Sequence, residues 1–184
     1  MPRHETVTVN RAPVLTLWAA VVAERLGFDH EEALTLGKTL AGLNAQSKGR
    51  ALGLFTPTTK TEAAKKRRAL EPGESLVVEL LHRAVPCVRT PEGIRALAKD
   101  RPVTPESVER YLESKFGESL PAVRSAMESL AAGSPPGELA ERAFALYEKF
   151  RPVIPPGVRG WGAAGTLDLG LIRSLGRTPR PGSG

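Results

Sequence analysis

The chain of 184 residues contains one cysteine, Cys87, so no intramolecular disulfide can stabilise it. It also lacks a long apolar run. The longest, residues 14–23, is interrupted by Thr16 and is about half of what a membrane-spanning helix needs. Residues 1–5 are polar and do not resemble a signal peptide. These absences predict a cytoplasmic protein that does not interact with membranes.

Catalytic and metal-binding motifs are also missing. The sequence has no H-E-x-x-H, G-x-S-x-G, G-x-G-x-x-G or Walker pattern, and its three histidines and Cys87 are too scattered for a zinc site. Glu106, Glu109 and Glu113 have a spacing that could serve acid/base chemistry, but they lie opposite an apolar stripe and are interpreted as a solvated face. We expect no metal and no cofactor, and these patterns favour a binding protein over an enzyme without deciding between them.

Two segments between residues 13 and 44 predict a tight pair of helices. Val14 begins an apolar stripe of period four that ends at Gly27. Asp29 and Glu32 then have the spacing of a capping box, and a second stripe begins at Ala33 and ends before the polar residues 44–50. The short turn around Gly27 fits a helix-turn-helix unit, but the acidic start of the second helix would repel phosphates. A packed helical hairpin is therefore the preferred interpretation.

Beyond residue 74 the pattern predicts a small β-hairpin near residues 75–89, with a helix over residues 76–81 as the alternative. Pro86 would place the second strand at a sheet edge. Thr90, Pro91 and Glu92 have the pattern of a helix start, and three further helices are predicted over residues 105–117, 120–133 and 138–151. A last helix is predicted over residues 167–175.

The predicted fold is mainly α, a single helical domain built from helix-turn-helix-like pairs, with the hairpin as a minor addition and an irregular C-terminal segment. We expect residues 1–150 to form this domain, with a basic insert at residues 46–70. Residues 151–184, rich in Gly, Pro and Arg, would pack on it to about residue 175 and then fray.

The net charge of +6 is not spread evenly along the chain. Residues 46–70 contain seven basic residues and one acidic residue, and residues 151–184 contain five and one. The cations at residues 65–68 are consecutive and repel one another, so a polyanion is a natural partner for them. A solvated surface run is the other interpretation. Arg159, Gly160 and Trp161 could also track a nucleic-acid backbone, although a tryptophan packed on the core is preferred for Trp161.

These patterns predict a nucleic-acid-binding protein, with DNA preferred over RNA, that makes mainly electrostatic contacts with phosphates. The residues expected to make them are Lys48, Arg50, Lys60, Lys65, Lys66, Arg67, Arg68, Arg173 and Arg177. A homo-oligomer is compatible with this sequence. One alternative is a protein-interaction module that docks an acidic partner. A less favoured alternative is a small enzyme that acts on an anionic metabolite.

Overall fold

A computed structural model describes residues 6–51, 75–154 and 164–176, with side chains omitted at residues 45–51 and 176. The predicted fold class is wrong, because helices and sheets combine in an α+β arrangement. The described strands are β1 (Thr6–Asn10), β2 (Ser75–Leu80), β3 (Arg83–Thr90), β4 (Gly93–Ala98), β5 (Arg101–Pro102) and β6 (Ala164–Asp168). The described α-helices are α1 (Arg11–Arg25), α2 (His30–Ala51), α3 (Pro105–Phe116), α4 (Leu120–Ala132), α5 (Pro136–Phe150) and α6 (Leu169–Gly176).

Helix α1 forms the centre of the core. Every residue from 13 to 23 is buried, so the expected single apolar stripe is wrong and the helix is covered on all sides, by α2, α4, α5 and α3. Trp18 is fully buried; its indole Nε1 donates to the carbonyl oxygen of Ala143 in α5 at 2.9 Å, and its ring meets Phe150 edge-on at 5.3 Å. Arg11 bonds to Pro152 after α5 and Arg25 bonds to Ser134 before it, so α5 runs antiparallel to α1.

The predicted pairing of α1 and α2 is confirmed. Gly27 turns the chain with a φ of 113°, a conformation that favours glycine. The capping box is also confirmed: the Glu32 amide donates to Asp29 Oδ1 at 2.8 Å, and the Asp29 amide donates to Glu32 Oε1 at 3.1 Å. Helix α2 does not end in the polar residues 44–50 but continues to Ala51.

The four-stranded antiparallel sheet has the order β2-β3-β4-β5 and packs on α2. It contains the predicted hairpin, with Leu81 and His82 at its turn in left-handed conformations. The edge position expected for Pro86 is wrong, because β3 lies between β2 and β4. The β3–β4 ladder stops at Cys87 and Ala96, one residue short of Pro86, whose nitrogen has no hydrogen to donate.

The helix expected after Pro91 is strand β4 instead. Residues 91–92 form the turn of a second hairpin. Strand β5 pairs only with Leu97 and Ala98 of β4, and α2 bonds to the part of β4 that precedes them. The Ile94 amide donates to Glu32 Oε2 at 2.8 Å, and the Ala96 amide donates to Thr35 Oγ1 at 3.1 Å. These side chains occupy positions where a further strand would otherwise pair. Helix α2 therefore lies between α1 and the sheet and is not an exposed recognition helix.

The second sheet joins β1 to β6 in an antiparallel pair, with Asn10 opposite Ala164 and Thr6 opposite Asp168. Val153 and Thr166 exchange two backbone hydrogen bonds of 3.0 Å on the other side of β6. A side chain at Gly165 would stand 2.7 Å from the Val153 carbonyl oxygen, so only glycine permits this approach. The residues after α5 are thereby held beside the start of α1.

The remaining helices agree with their predicted patterns. Helices α3, α4 and α5 bury the expected stripes, and the helix expected over residues 167–175 is α6. The described part of the C-terminal segment is thus a strand and a helix, not irregular chain. Asp168 accepts a hydrogen bond from the Leu171 amide at 3.2 Å, a cap at the start of α6.

Candidate functional site

Most of the predicted phosphate-contacting residues fall outside the part of the structure that can be described. Lys48 and Arg50 lie in the last turns of α2, where the backbone alone is described. Outside the described residues lie Lys60, Lys65, Lys66, Arg67, Arg68 and Arg177, together with Arg159, Trp161 and Arg180. Arg173 lies in α6 and is partly buried.

The antiparallel helices place the last turns of α2 at the same end of the molecule as the start of α1. The two helices cross where Gly37 meets the backbone of Thr16 and Ala20. From Gly37, α2 extends fourteen residues towards Ala51, or about 21 Å at 1.5 Å per residue. Lys48 and Arg50 therefore belong, by their backbone positions, to the end at which Arg11 begins α1.

Two arginines that sequence reasoning did not select as site residues meet at this end. Arg11 is the first residue of α1, and its Nε donates to the carbonyl oxygen of Pro152 at 3.1 Å. Arg151 directly precedes Pro152, after the last turn of α5. Burial, and next the positive charge of Arg151, lower the pKa of Arg11. Among residues 6–44, 75–154 and 164–175, no carboxylate forms a salt bridge with either arginine.

Tyr147 completes the cluster from the last turn of α5. Its residue exposure is only 2%, and its ring packs against Phe144 and Phe150. Burial raises the pKa of Tyr147 to about 12, while the charges of Arg151 and Arg11 act to lower it and the carboxylate of Glu148 acts to raise it. The phenol is therefore neutral at physiological pH and keeps a hydroxyl hydrogen that it can donate. We call Arg11, Tyr147 and Arg151 the arginine cluster.

A local signal in the sequence could have pointed to Arg11. The first turn of α1 contains no acidic residue, and Asn10 at its N-cap makes no side-chain capping bond. Helix starts usually favour acidic residues, because the helix dipole is positive there. An arginine in this position is unfavourable unless something negative compensates it. The proximity of Arg151 could not be read from the sequence, because it depends on contacts about 140 residues apart.

Arg173 is not brought to the arginine cluster. Helix α6 begins beyond the Thr6–Asp168 end of the β1–β6 ladder, whereas Arg11 follows the Asn10–Ala164 end. Four strand steps separate these ends, or about 14 Å. Arg173 also has an interaction partner of its own. Its predicted role with Lys48 and Arg50 stays a prediction.

Another cationic contact uses an aromatic ring within the protein. The Nζ of Lys38 lies 4.1 Å from the centre of the Tyr111 ring, and the Nζ of Lys115 lies 5.9 Å from it. Burial, and next the charge of Lys115, lower the pKa of Lys38. The face of the Tyr111 ring attracts both cations. This pair of lysines therefore already has an aromatic partner, whereas among the described residues no carboxylate pairs with the arginine cluster.

The residues weighed for catalysis are arranged as structural groups. Cys87 is fully buried, and burial raises the pKa of its thiol to about 12, which does not favour a reactive thiolate. Glu109 lies on an exposed face and accepts from His30 Nε2 at 3.1 Å, while Glu24 lies 3.4 Å from His30 Nδ1. His82 is a turn residue and contacts the carbonyl oxygen of Glu141. No group of three potential metal ligands occurs within the described ranges.

Two partly open cavities lie on the described surface near polar groups. One, of about 260 Å³, lies between the β2–β3 turn and α5 and is lined mainly by apolar atoms, with His82, Glu79 and Glu141 at its rim. Neither this cavity nor one of about 210 Å³ between α1 and α4 contains a residue of the arginine cluster. The anionic-metabolite alternative therefore gains no enclosed site from them.

No helix in the described segments combines the length and apolar character needed to cross a membrane. Comparison with protein-family models, curated proteins and solved structures gives no significant match to any of them.

Proposed function

We propose that this protein binds nucleic acid, DNA in preference to RNA, through phosphate contacts made at the end of the molecule where α1 begins. The observation that carries the proposal is the arginine cluster. Arg11 donates to the carbonyl oxygen of Pro152, the residue after Arg151, burial and next the charge of Arg151 lower the pKa of Arg11, and no carboxylate among the described residues pairs with either arginine. A phosphate would relieve this repulsion and form charge-assisted hydrogen bonds.

The position of the cluster supports an extended footprint. Lys48 and Arg50 lie in the helical turns at the same end of the α1–α2 pair, and the chain then continues into the basic run that contains Lys60 and residues 65–68. In this proposal these cations contact successive phosphates. Because no exposed helix combines a basic surface with base-reading side chains among the described residues, the binding would depend on the backbone and little on sequence.

Fluorescence anisotropy with a labelled 20-base-pair DNA tests the proposal across a series of salt concentrations. The Arg11→Gln/Arg151→Gln double variant should weaken binding and reduce the slope of log K against log salt by about 1.8, the value for two phosphate contacts. Replacement of residues 65–68 by alanine should reduce it by about 3.6. A duplex RNA of the same sequence should compete less well than DNA.

The matched control is Arg110→Gln/Arg142→Gln, which removes two positive charges elsewhere. Arg110 lies on the acidic face of α3, and Arg142 pairs with Glu138 at 3.4 Å. This variant should leave the slope within about 0.5 of the wild-type value. The proposal is wrong if the wild-type protein does not bind DNA at low salt, or if both double variants change the slope equally.

The cytoplasm remains the proposed location, since the single cysteine is buried and suits a reducing compartment. Assembly into a homo-oligomer also stays a prediction.

A further inference from the structure

Strand β2 is one outer edge of the four-stranded sheet, and no described element pairs with the side of it that faces away from β3. The opposite side of the sheet is protected. Strand β5 is short and contains Pro102, and α2 bonds to the Ile94 and Ala96 amides of β4. Short strands, prolines and covering helices keep sheet edges from pairing with other chains. Strand β2 has six residues, contains no proline and pairs with β3 without a bulge.

The geometry of the β2–β3 hairpin determines which backbone groups face outwards. Its turn has two residues, both with positive φ, and a turn of this kind closes on a hydrogen-bonded pair, here Leu80 and Arg83. Hydrogen-bonded and non-hydrogen-bonded pairs alternate along an antiparallel ladder, so the amide and carbonyl groups of Val77 and Glu79 point away from β3. Val77 lies opposite Pro86, which agrees with a pair that exchanges no hydrogen bonds.

The outward side of β2 is accessible. Val77 is 62% exposed, which is unusual for a large apolar residue of this fold. Within the ranges that the structure describes, no backbone hydrogen bond beyond the β2–β3 ladder involves Val77 or Glu79. An exposed apolar side chain beside unpaired backbone groups is typical of an edge to which a further strand adds.

A second copy of β2 fits this edge in one antiparallel register. With a twofold axis at Val77, this residue lies opposite its own copy, and Glu79 lies opposite the second copy's Ser75. On the other face, the partly buried Leu76 lies opposite the second copy's Val78, so apolar side chains meet. An axis at Glu79 would instead place two carboxylates directly opposite each other, which is unfavourable. An axis at Val78 would place Glu79 against the apolar Val77.

We infer that the outward edge of β2 is a self-association surface, at which two copies of the chain pair antiparallel about Val77 and join their sheets into one. Backbone hydrogen bonds and the contact between the two Val77 side chains hold the pair together. The charge of Glu79 selects the register, because the competing axis at Glu79 is repulsive. Each chain has a net charge of +6, so salt should strengthen the dimer by screening this repulsion. No residue of the arginine cluster takes part, and the inference does not depend on the proposed function.

Sedimentation velocity on the nuclease-treated full chain tests the association across a concentration series at high salt. The mass should rise with concentration from that of one chain to that of two. Val77→Lys should weaken the association by about tenfold or more, because like charges would face each other across the axis. The matched control is Val153→Lys, which makes the same substitution at a valine that is 70% exposed and lies outside β2, and it should leave the association unchanged. A wild-type chain that stays monomeric throughout, or equal weakening by both variants, would overturn the inference.

Cysteine cross-linking tests the register. Under mild oxidation Val77→Cys should form a covalent dimer, because the paired Cα atoms would lie about 5.5 Å apart, within the range of a disulfide. Ser75→Cys should not, because Ser75 and its copy would lie four residues apart along the strands, or about 13 Å. The native Cys87 is buried and does not compete. Cross-linking of Ser75→Cys as readily as Val77→Cys would overturn the pairing about Val77.

Discussion

Replacing Gly37 by alanine tests how closely the two central helices pack. A Cβ atom at this position would overlap the carbonyl oxygen of Thr16 and stand 3.1 Å from the amide nitrogen of Ala20. Both atoms belong to the backbone of α1, so no side chain can rotate away and the helices must separate. Gly42 lies in the same helix, and a Cβ there meets nothing within 4 Å. The two glycines therefore form a matched pair that differs in the packing at each site.

The expected effects have opposite signs. Alanine is favoured over glycine in a helix by about 1 kcal/mol, so Gly42→Ala should stabilise the protein by about that amount. Gly37→Ala gains the same helix preference but incurs an overpacking cost of about 3 kcal/mol, at the upper end because backbone is displaced. The net change is a destabilisation of about 2 kcal/mol.

Urea unfolding followed by circular dichroism measures both variants. With a slope of roughly 2 kcal/mol per molar urea, the midpoint should fall by about 1 M for Gly37→Ala and rise by about 0.5 M for Gly42→Ala. A midpoint for Gly37→Ala at or above that of the wild type would refute the close crossing of α1 and α2. Equal shifts for both variants would refute the distinction between the two sites.

Three further predictions concern single side chains. Glu32→Ala should lower the free energy of unfolding by about 2 kcal/mol, because the Glu32 carboxylate accepts from the amides of both Asp29 and Ile94. The control Glu31→Ala should change the free energy of unfolding by less than about 0.5 kcal/mol, since Glu31 is exposed. Urea midpoints of the two variants test this difference. Trp18→Phe should cost about 1–3 kcal/mol through the lost bond to Ala143 and the smaller ring, and a wild-type midpoint would contradict this contact. Folding raises the pKa of Cys87 and Tyr147 to about 12, so the stability that their neutral forms contribute is complete below the unfolded pKa values near 9 and 10 and is lost as the pH rises towards 12. In a series of unfolding curves at alkaline pH, Tyr147→Phe should reduce the dependence of the free energy of unfolding on pH. An unchanged dependence would contradict the burial of the phenol.

The sequence predicted those elements whose signals are local. Asp29 and Glu32 gave the start of α2 because a capping box acts within one turn, and the stripes of α3, α4 and α5 correspond to helices that bury one face. Strand β4 was mistaken for a helix because Thr90, Pro91 and Glu92 suit a helix start as well as a turn. Its identity as a strand depends on pairing with β3 and on the side chains of α2 at its edge, which are distant in sequence.

Sequence reasoning selected none of the three residues of the arginine cluster as site residues. Clustered charge predicted an anionic partner, but counts of charge along the chain selected the basic segments at residues 46–70 and 151–184. Arg11 was overlooked because its segment has no net positive excess, and Tyr147 because it fits the apolar stripe of α5. Their importance comes from the β1–β6 pairing and the Val153–Thr166 bridge, which bring together the two ends of the described fold.

The burial of α1 on every side has a consequence for synthesis on the ribosome. This helix emerges early, yet its cover from α4 and α5 and the β6 partner of the preceding strand are encoded more than 90 residues later. At roughly 5–20 residues per second, translation from Arg25 to Asp168 takes on the order of ten seconds. During that interval the most apolar segment of the nascent chain has only α2 and the early sheet to shield it, which makes it a natural client for chaperones that hold exposed hydrophobic segments.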